Sequence, residues 1–345
     1  HYLSPAFWEF DRGDIKITMF TVTLYMREDC RLCEQAAADL ESLQGKYPHK
    51  LVQVDVEKEG LSEYLEKIPI IETGPYQIKA PFDKKKIGVT LGAAQDRQKQ
   101  LQKVDSKDHQ KRLKRGRSVN FWDRFFYWLS QRYMVVFNLF AFIYLGLAFL
   151  APVLLANGNT RSANLIYNIY GRFCHQLAFR SWFIFGEQAA YPKENANIEG
   201  LATYEEVTGL APSDVEAAFT FRGNQILGYK VALCQRDVAI YGSILVFGLL
   251  FSLTKRKIPT LPITAWVILG LVPIGLDGMS QIISQLPWDI LPVRESTPLL
   301  RTITGTLFGF STAWFSYPVI EDAMADTRKV LSVKIKASQL DDDSR

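Results

Sequence analysis

The sequence predicts a small α/β domain followed by an all-α polytopic membrane domain. Up to about residue 92, short strand-like runs alternate with helix-like runs, whereas several later runs are apolar for roughly 20 residues, the length that crosses a hydrocarbon core. The 345 residues are 48% hydrophobic, with a formal net charge of +4 and four cysteines. These values exclude a disordered chain, a disulfide-dense mini-protein and a nucleic-acid binder held by bulk charge, so no nucleic-acid partner is expected.

The α/β domain is predicted over residues 19–92, and residues 1–18 are expected to be an N-terminal extension upstream of an initiating Met19. β-branched and aromatic runs bounded by polar turns indicate strands, and the alanine-rich run between them indicates a helix. In chain order the predicted elements are a strand at Thr21–Met26, a helix at Glu34–Tyr47, a strand at Leu51–Val56 and a third strand beginning at Pro69.

A C-R-L-C motif, Cys30 to Cys33, separates the first predicted strand from the first helix. This position is typical of a redox pair, because a helix N-terminus stabilises the first thiolate. With the loop Y-M-R-E-D-C-R-L-C-E and the Ile68-Pro69 dipeptide, residues 19–92 resemble a glutaredoxin-like domain of the thioredoxin fold. The resemblance implies Cys30 as nucleophile, Cys33 as resolving thiol and Pro69 as the neighbouring cis-proline. A thioredoxin fold used only for docking is the alternative.

Residues 93–132 are predicted to form a basic linker that ends in an interfacial amphipathic helix. Nine basic and two acidic residues lie within residues 97–117, and residues 121–132 combine aromatic side chains with Arg124 and Arg132. Such a helix lies on anionic lipid headgroups. Positive charge beside a first span marks the cytoplasmic side, so the α/β domain is expected in the cytoplasm.

The membrane domain is predicted over residues 133–322, followed by a cytoplasmic tail at residues 323–345. Ser162–Gly186 is long enough to cross the bilayer but carries several polar residues. If this segment does not cross, the basic triplet Lys255–Lys257 and both termini lie in the cytoplasm, as the positive-inside rule favours. We therefore expect four full spans plus a re-entrant or outer-surface helix at Ser162–Gly186, in a prokaryotic cell (inner) membrane. The four spans are Tyr133–Ala156, Val238–Leu253 with its flanks, Leu261–Ile283 and Leu299–Ile320.

The four-span arrangement brings polar residues from four segments to the outer face of the membrane domain. Ionisable residues at membrane depth usually pair with one another around a bundle interior or a wet cavity. The predicted cluster is Cys174, His175, Gln176, Arg180, Cys234, Arg236, Asp237, Asp277, Gln281, Glu295 and Arg301. The alternative is purely architectural, with pairs such as Arg236–Asp277 or Arg301–Glu295 clamping loops.

Cys174 and Cys234 have three interpretations that the sequence leaves open. A structural disulfide fits an outer compartment. A zinc site would use Cys174, His175 and Cys234 with Asp237 or Asp277, although adjacent residues of a helix such as Cys174 and His175 point about 100° apart. A redox-active pair supplied by the α/β domain is the third interpretation.

The membrane half also resembles an uncharacterised prokaryotic family of small integral membrane proteins. The shared motifs are C-H-Q-L-A-F-R-S-W-F-I-F-G, C-Q-R-D-V-A-I-Y-G, D-G-M-S-Q and E-S-T-P-L-L-R-T-I-T-G, within residues 133–320. This resemblance implies one polar membrane site and no particular activity.

The predicted function is a membrane-tethered thiol–disulfide oxidoreductase. Its expected partners are membrane lipids and a redox protein or low-molecular-weight thiol. One alternative is a membrane protein whose outer-face cluster binds a metal such as zinc, a lipid headgroup or a small solute. The other is a non-catalytic subunit of a larger membrane complex.

Overall fold

The computed structural model describes residues 20–103, 119–211, 213–287 and 292–343. The N-terminal extension and most of the basic run at residues 97–117 lie outside the described residues. The chain divides into two compact units: His1–Gln131 with Met324–Arg345, and Arg132–Ala323. We call these the first and the second unit.

The first unit contains a four-stranded sheet with the strands β1 (Phe20–Met26), β2 (His49–Asp55), β3 (Ile70–Thr73) and β4 (Tyr76–Lys79). Their order in the sheet is β2-β1-β3-β4. Strand β1 pairs in parallel with β2 and antiparallel with β3, which pairs antiparallel with β4. This sheet and its helices confirm the thioredoxin-like expectation, and the third strand begins one residue after the predicted Pro69.

Both faces of this sheet are covered, which explains why four consecutive residues of β1, Val22–Tyr25, are buried. On one face, Val22 and Leu24 pack with residues of two helices, α1 (Arg31–Leu43) and α2 (Lys84–Lys103). On the other face, Tyr25 and strand β2 form a second cluster, against which the C-terminal part of helix α9 (Pro298–Asp343) packs. Helix α2 continues through residues 93–103, so this part of the predicted linker is helical.

Buried polar contacts fasten the C-terminal part of α9 within the first unit. Arg328, which is 2% exposed, donates from Nε to the Glu59 carbonyl oxygen at 2.9 Å and from Nη1 to the Ser130 carbonyl oxygen at 2.7 Å. The Glu59 carboxylate also accepts the hydroxyl of Tyr127, at 2.7 Å to Oε2, and lies 3.2 Å from Lys336 Nζ. Residues 324–343 of the predicted tail are thus helical and belong to this unit.

Three helices of the described residues are long and apolar enough to cross a membrane: α3 (Phe121–Ala156), α7 (Gln235–Leu253) and α8 (Ile263–Ser284). Helix α8 includes a π-helical turn at Val267–Leu271. The expected fourth span, Leu299–Ile320, lies within α9 and is not among the three. Serine, threonine and glycine residues and Arg301 dilute its apolar character, so a fourth span stays a prediction.

Helix α3 runs unbroken for 36 residues. The interfacial helix and the first span, predicted as separate segments, are therefore one helix. The sequence has no glycine or proline near the expected boundary at Arg132 that would end the helix there.

The expectation of one helix over Ser162–Gly186 is wrong. Helix α4 (Thr160–Tyr170) has Asn159 as its N-cap and ends at Gly171 after 11 residues. The chain then passes through an irregular stretch and a short 3₁₀ turn, Ala178–Arg180, into strand β5 (Ser181–Ile184). An 11-residue helix is too short to cross a bilayer.

The second unit is not all-α, because β5 belongs to a three-stranded antiparallel sheet with β6 (Gly223–Asn224) and β7 (Gly228–Cys234). Gly228 has a φ of +74°, and a Cβ there would lie 2.4 Å from the Ile184 carbonyl oxygen. The tight approach of the strands therefore requires glycine at this position. Two short helices lie between β5 and β6: α5 (Tyr204–Thr208) and α6 (Val215–Thr220).

Candidate functional site

Cys30 and Cys33 form a disulfide at the beginning of helix α1, with their Cα atoms 5.2 Å apart. Cys30 is the N-cap residue, and its Sγ accepts the backbone N–H of Cys33 at 3.3 Å. Cys33 is fully buried, whereas Cys30 is half-buried and the two residues between them are exposed. A molecule in solution therefore reaches Cys30 and not Cys33.

Pro69 lies at the same end of the central strands as the cysteine pair. Strand β3 pairs antiparallel with β1, and Ile70 stands opposite Tyr25, near the end of β1 from which the Cys30 loop departs. The Ile68–Pro69 peptide bond is cis. The three residues predicted to act together thus come from two adjacent strand ends.

A second concentration of polar residues lies in the second unit, where Glu295 is shared by two arginines. Arg180 donates from Nε and Nη2 to the two carboxylate oxygens of Glu295 at 2.9 and 3.1 Å. Arg301 also binds this carboxylate through Nη2. The side chains of Glu295 and Arg301 are each 4% exposed, whereas that of Arg180 is 35% exposed. Water can solvate the charge of Arg180, whereas the charge of Arg301 is balanced mainly by Glu295.

Asp277 is the second carboxylate shared by two arginines. It binds Arg236 and accepts from Arg294 Nη2 at 3.2 Å. Ser296 Oγ donates to the same carboxylate at 2.9 Å, and Gln281 Nε2 donates to the Asp277 carbonyl oxygen at 2.9 Å. These contacts hold α7, α8 and the chain before α9 together.

Cys174, Cys234 and Asp237 lie beside these arginine–carboxylate groups. The two sulfurs and a carboxylate oxygen of Asp237 are all within 4.8 Å of one another, and both cysteines are free thiols. Cys174 Sγ accepts the backbone N–H of Cys234 at 3.3 Å, and Cys234 Sγ, at the N-cap of α7, accepts the N–H of Asp237 at 3.4 Å. A hydrogen bond between the two thiol side chains, together with burial, raises the pKa of the Cys174 thiol.

A cavity of about 460 Å³ connects these groups. Nine of the eleven predicted residues line it, and the other two, Asp277 and Glu295, hold its arginines in place. The nine lining residues are Cys174, His175, Gln176, Arg180, Cys234, Arg236, Asp237, Gln281 and Arg301. His175 is exposed and does not lie close to the two sulfurs and the Asp237 carboxylate. The structure therefore brings together three of the four residues predicted as metal ligands, without His175.

The loop that carries Cys174 is held at Gln176 by two residues that were not predicted from the sequence, Lys230 and Arg222. Gln176 is fully buried with a φ of +46°, which turns the chain sharply after His175. Its carbonyl oxygen accepts from Lys230 Nζ at 2.6 Å, and its side-chain Oε1 accepts from Arg222 Nη1 at 3.3 Å. Burial lowers the pKa of Lys230 to about 6. A lysine in the middle of the apolar strand β7 was the available signal.

Arg294, Ser296 and Gln235 also belong to this site and were not predicted. Gln235 Oε1 lies 3.4 Å from Arg301 Nη1. Gln235 is adjacent to Cys234, and the other two flank Glu295, so their sequence positions beside selected residues were the signal that could have found them.

The fold and the two cysteine pairs fit a membrane protein that carries a redox domain. Comparison with known families agrees: residues 21–111 match the model of a glutaredoxin-like domain (DUF836), and residues 219–315 match that of a predicted membrane protein (DUF2085). Both resemblances drawn from the sequence are thereby confirmed.

One curated relative is an uncharacterised protein of Methanocaldococcus jannaschii. It is 26% identical over 200 residues, which cover 55% of this chain and 94% of the relative. No solved structure matches the chain.

Proposed function

We propose that this chain is a membrane-anchored thiol–disulfide oxidoreductase whose reaction takes place at Cys30 and Cys33. The observation that carries the proposal is the half-buried N-cap Cys30, bonded to a fully buried Cys33 within a thioredoxin-like sheet. Helix N-termini favour thiolates, and the thiolate is the nucleophile in disulfide exchange.

The exchange proceeds in two balanced steps. In the reduced protein, the Cys30 thiolate attacks a substrate disulfide, which forms a mixed disulfide and releases one substrate thiolate. Cys33 then attacks the Sγ of Cys30, which releases the second substrate thiolate and forms the Cys30–Cys33 disulfide seen in the structure. A low-molecular-weight thiol or a redox protein returns two electrons and completes the cycle.

In this proposal the second unit crosses a prokaryotic cell membrane several times. It thereby anchors the domain that carries Cys30 and Cys33. Five exposed aromatic side chains at the beginning of α3 support an interfacial position: Phe121, Trp122, Phe125, Phe126 and Trp128. The basic residues at 97–117 and at 255–257 favour a cytoplasmic first unit and C-terminus. Membrane lipids are the surrounding partners, and a larger membrane complex is compatible with this arrangement.

The test is the reduction of a small disulfide by the full-length protein in mild detergent, with a thiol as electron donor. We expect turnover in the wild type and none in Cys30→Ser. A Cys174→Ser/Cys234→Ser variant keeps the C-R-L-C motif and controls for the other thiols, so its turnover should equal that of the wild type. Absence of turnover in the folded wild-type protein contradicts the proposal, and so does activity that survives in Cys30→Ser.

A further inference from the structure

The second unit contains a carboxylate that its arginines leave unpaired. Glu295 and Asp277 each bind two arginines. Asp237 is half-buried at the same cavity, and no arginine or lysine of the described residues forms an ion pair with it. Its carboxylate lies instead within 4.8 Å of the sulfurs of Cys174 and Cys234.

Two thiols and one carboxylate form a donor set that suits a metal ion. Zinc takes cysteine sulfur and aspartate oxygen as ligands in tetrahedral sites. Both sulfurs already accept backbone N–H groups, at 3.3 and 3.4 Å. Cysteine binds a metal through its thiolate, so the two thiol protons are released when the ion binds.

The surrounding arginines are compatible with such a centre. A Zn²⁺ ion with two thiolates and one carboxylate carries a net charge of −1, which is the charge of Asp237 beside two neutral thiols. Binding with release of two thiol protons therefore adds no net positive charge next to Arg236 and Arg301. A disulfide between the two cysteines, by contrast, would use both sulfurs and leave Asp237 without a partner.

We propose that Cys174, Cys234 and Asp237 bind a divalent transition-metal ion, with Zn²⁺ as the expected ion and a fourth coordination position open to the cavity. All three ligands line the cavity of about 460 Å³. Sites with three protein ligands leave one position for water or substrate. The same cavity presents Arg180, Arg236 and Arg301, so an anionic group is the expected occupant of that fourth position.

The site is tested on full-length protein in mild detergent carrying Cys30→Ser and Cys33→Ser, so that only the thiols of the second unit can bind metal. Elemental mass spectrometry is expected to find one transition-metal ion per chain. Replacement by Co²⁺ should give the thiolate-to-cobalt charge-transfer absorption of a site with two sulfur ligands. Because the first unit's cysteines are absent, this outcome is independent of the oxidoreductase proposal.

Three single variants in this background identify the ligands. Cys234→Ser removes one of the two sulfur ligands, so the intensity of the thiolate-to-cobalt charge-transfer absorption should fall by the part that this sulfur contributes. The nearly isosteric Asp237→Asn should weaken metal binding by about tenfold or more, because loss of even an outer-shell partner costs 10–100-fold. His175→Gln, an exposed residue of the same cavity, is the matched control and should bind metal as the parent does.

Several results would overturn the assignment. One is folded parent protein with neither stoichiometric metal nor a cobalt–thiolate band. Another is metal binding that is unchanged in Asp237→Asn or lost in His175→Gln. Recovery of Cys174 and Cys234 as a disulfide from protein purified without oxidant would also overturn it. If Cys234→Ser fails to fold, the ligand assignment is still tested by the metal binding of Asp237→Asn and His175→Gln.

Discussion

Replacing Glu295 by glutamine removes the carboxylate that Arg180 and Arg301 share, and its effect follows from the unequal burial of these arginines. Arg301, with a side chain 4% exposed, loses its countercharge, and its other side-chain hydrogen bonds to described residues are long, at 3.4 Å to Gln235 Oε1 and 3.5 Å to the Phe179 carbonyl oxygen. Arg180 is 35% exposed and can be hydrated. The cost therefore comes almost entirely from Arg301.

Breaking a buried ion pair by removing one partner costs about 3–5 kcal/mol, because an uncompensated charge stays buried. For a unit of 192 residues, each kcal/mol lowers the melting temperature by about 2–4 °C, so Glu295→Gln should lower it by roughly 6–20 °C. Arg301→Met should cost less, because Glu295 keeps the two hydrogen bonds from Arg180. The double variant Glu295→Gln/Arg301→Met should be more stable than Glu295→Gln alone.

The assay is thermal unfolding of the full-length variants in one detergent, followed by intrinsic fluorescence and by loss of the monodisperse peak. Arg180→Gln is the control, and its cost should be within about 1 kcal/mol, as for an exposed pair. The reasoning fails if Arg180→Gln is as damaging as Glu295→Gln. It also fails if the double variant is less stable than Glu295→Gln alone.

Three further predictions concern other parts of the chain. Lys230 has a pKa of about 6 when folded, below its unfolded value of 10.5, so the unfolded state binds more protons between these values. Stability should therefore rise with pH across this window, by up to about 1.4 kcal/mol per unit, and Lys230→Met should flatten a pH series of unfolding measurements. Arg328→Met removes two hydrogen bonds from a buried guanidinium to backbone carbonyls, and chemical unfolding should show a loss of about 3 kcal/mol. A loss below about 0.5 kcal/mol would contradict the contacts assigned to Arg328. In a cysteine-free background, an impermeant maleimide should label Glu199→Cys on intact cells and Ser42→Cys only after permeabilisation, and the opposite pattern would reject the proposed orientation.

The elements of the first unit could be predicted because their signals are local. Strand β1 is a β-branched and aromatic run, the C-R-L-C motif marks the start of α1, and Pro69 precedes β3 by one residue. The packing of the C-terminal helix on the second face of the sheet could not be predicted, because it joins residues more than 250 positions apart, such as Glu59 and Arg328.

In the second unit, the length of an apolar segment led to a wrong prediction of its backbone conformation. Ser162–Gly186 has the length and composition of a membrane segment, yet Gly171 ends a short helix and the run S-W-F-I continues as a strand. A hydropathy window reports how apolar a segment is and does not report its backbone conformation. The glycine at position 171, inside the segment, was the local signal for the break.

The polar cluster could be predicted as a set because ionisable residues in apolar surroundings need partners. The sequence could not predict that Asp237 lies close to the two thiols and that His175 does not. It depends on the left-handed Gln176, which leaves Cys174 buried and His175 exposed, and no periodicity of the sequence encodes that turn.

The most direct measurement of the central claim is capture of the mixed disulfide at Cys30. Membranes that contain Cys33→Ser are mixed with a disulfide probe of known mass, quenched with acid and analysed by mass spectrometry of the intact chain. The proposal makes Cys33 the resolving thiol, and it therefore predicts that one probe thiol stays attached to Cys30 in this variant. The proposal also predicts no attachment within the C-R-L-C loop of the matched Cys30→Ser variant, where only the buried Cys33 is left. An unmodified Cys30 in Cys33→Ser, or equal modification of both variants, would contradict the claim that this pair performs thiol–disulfide exchange.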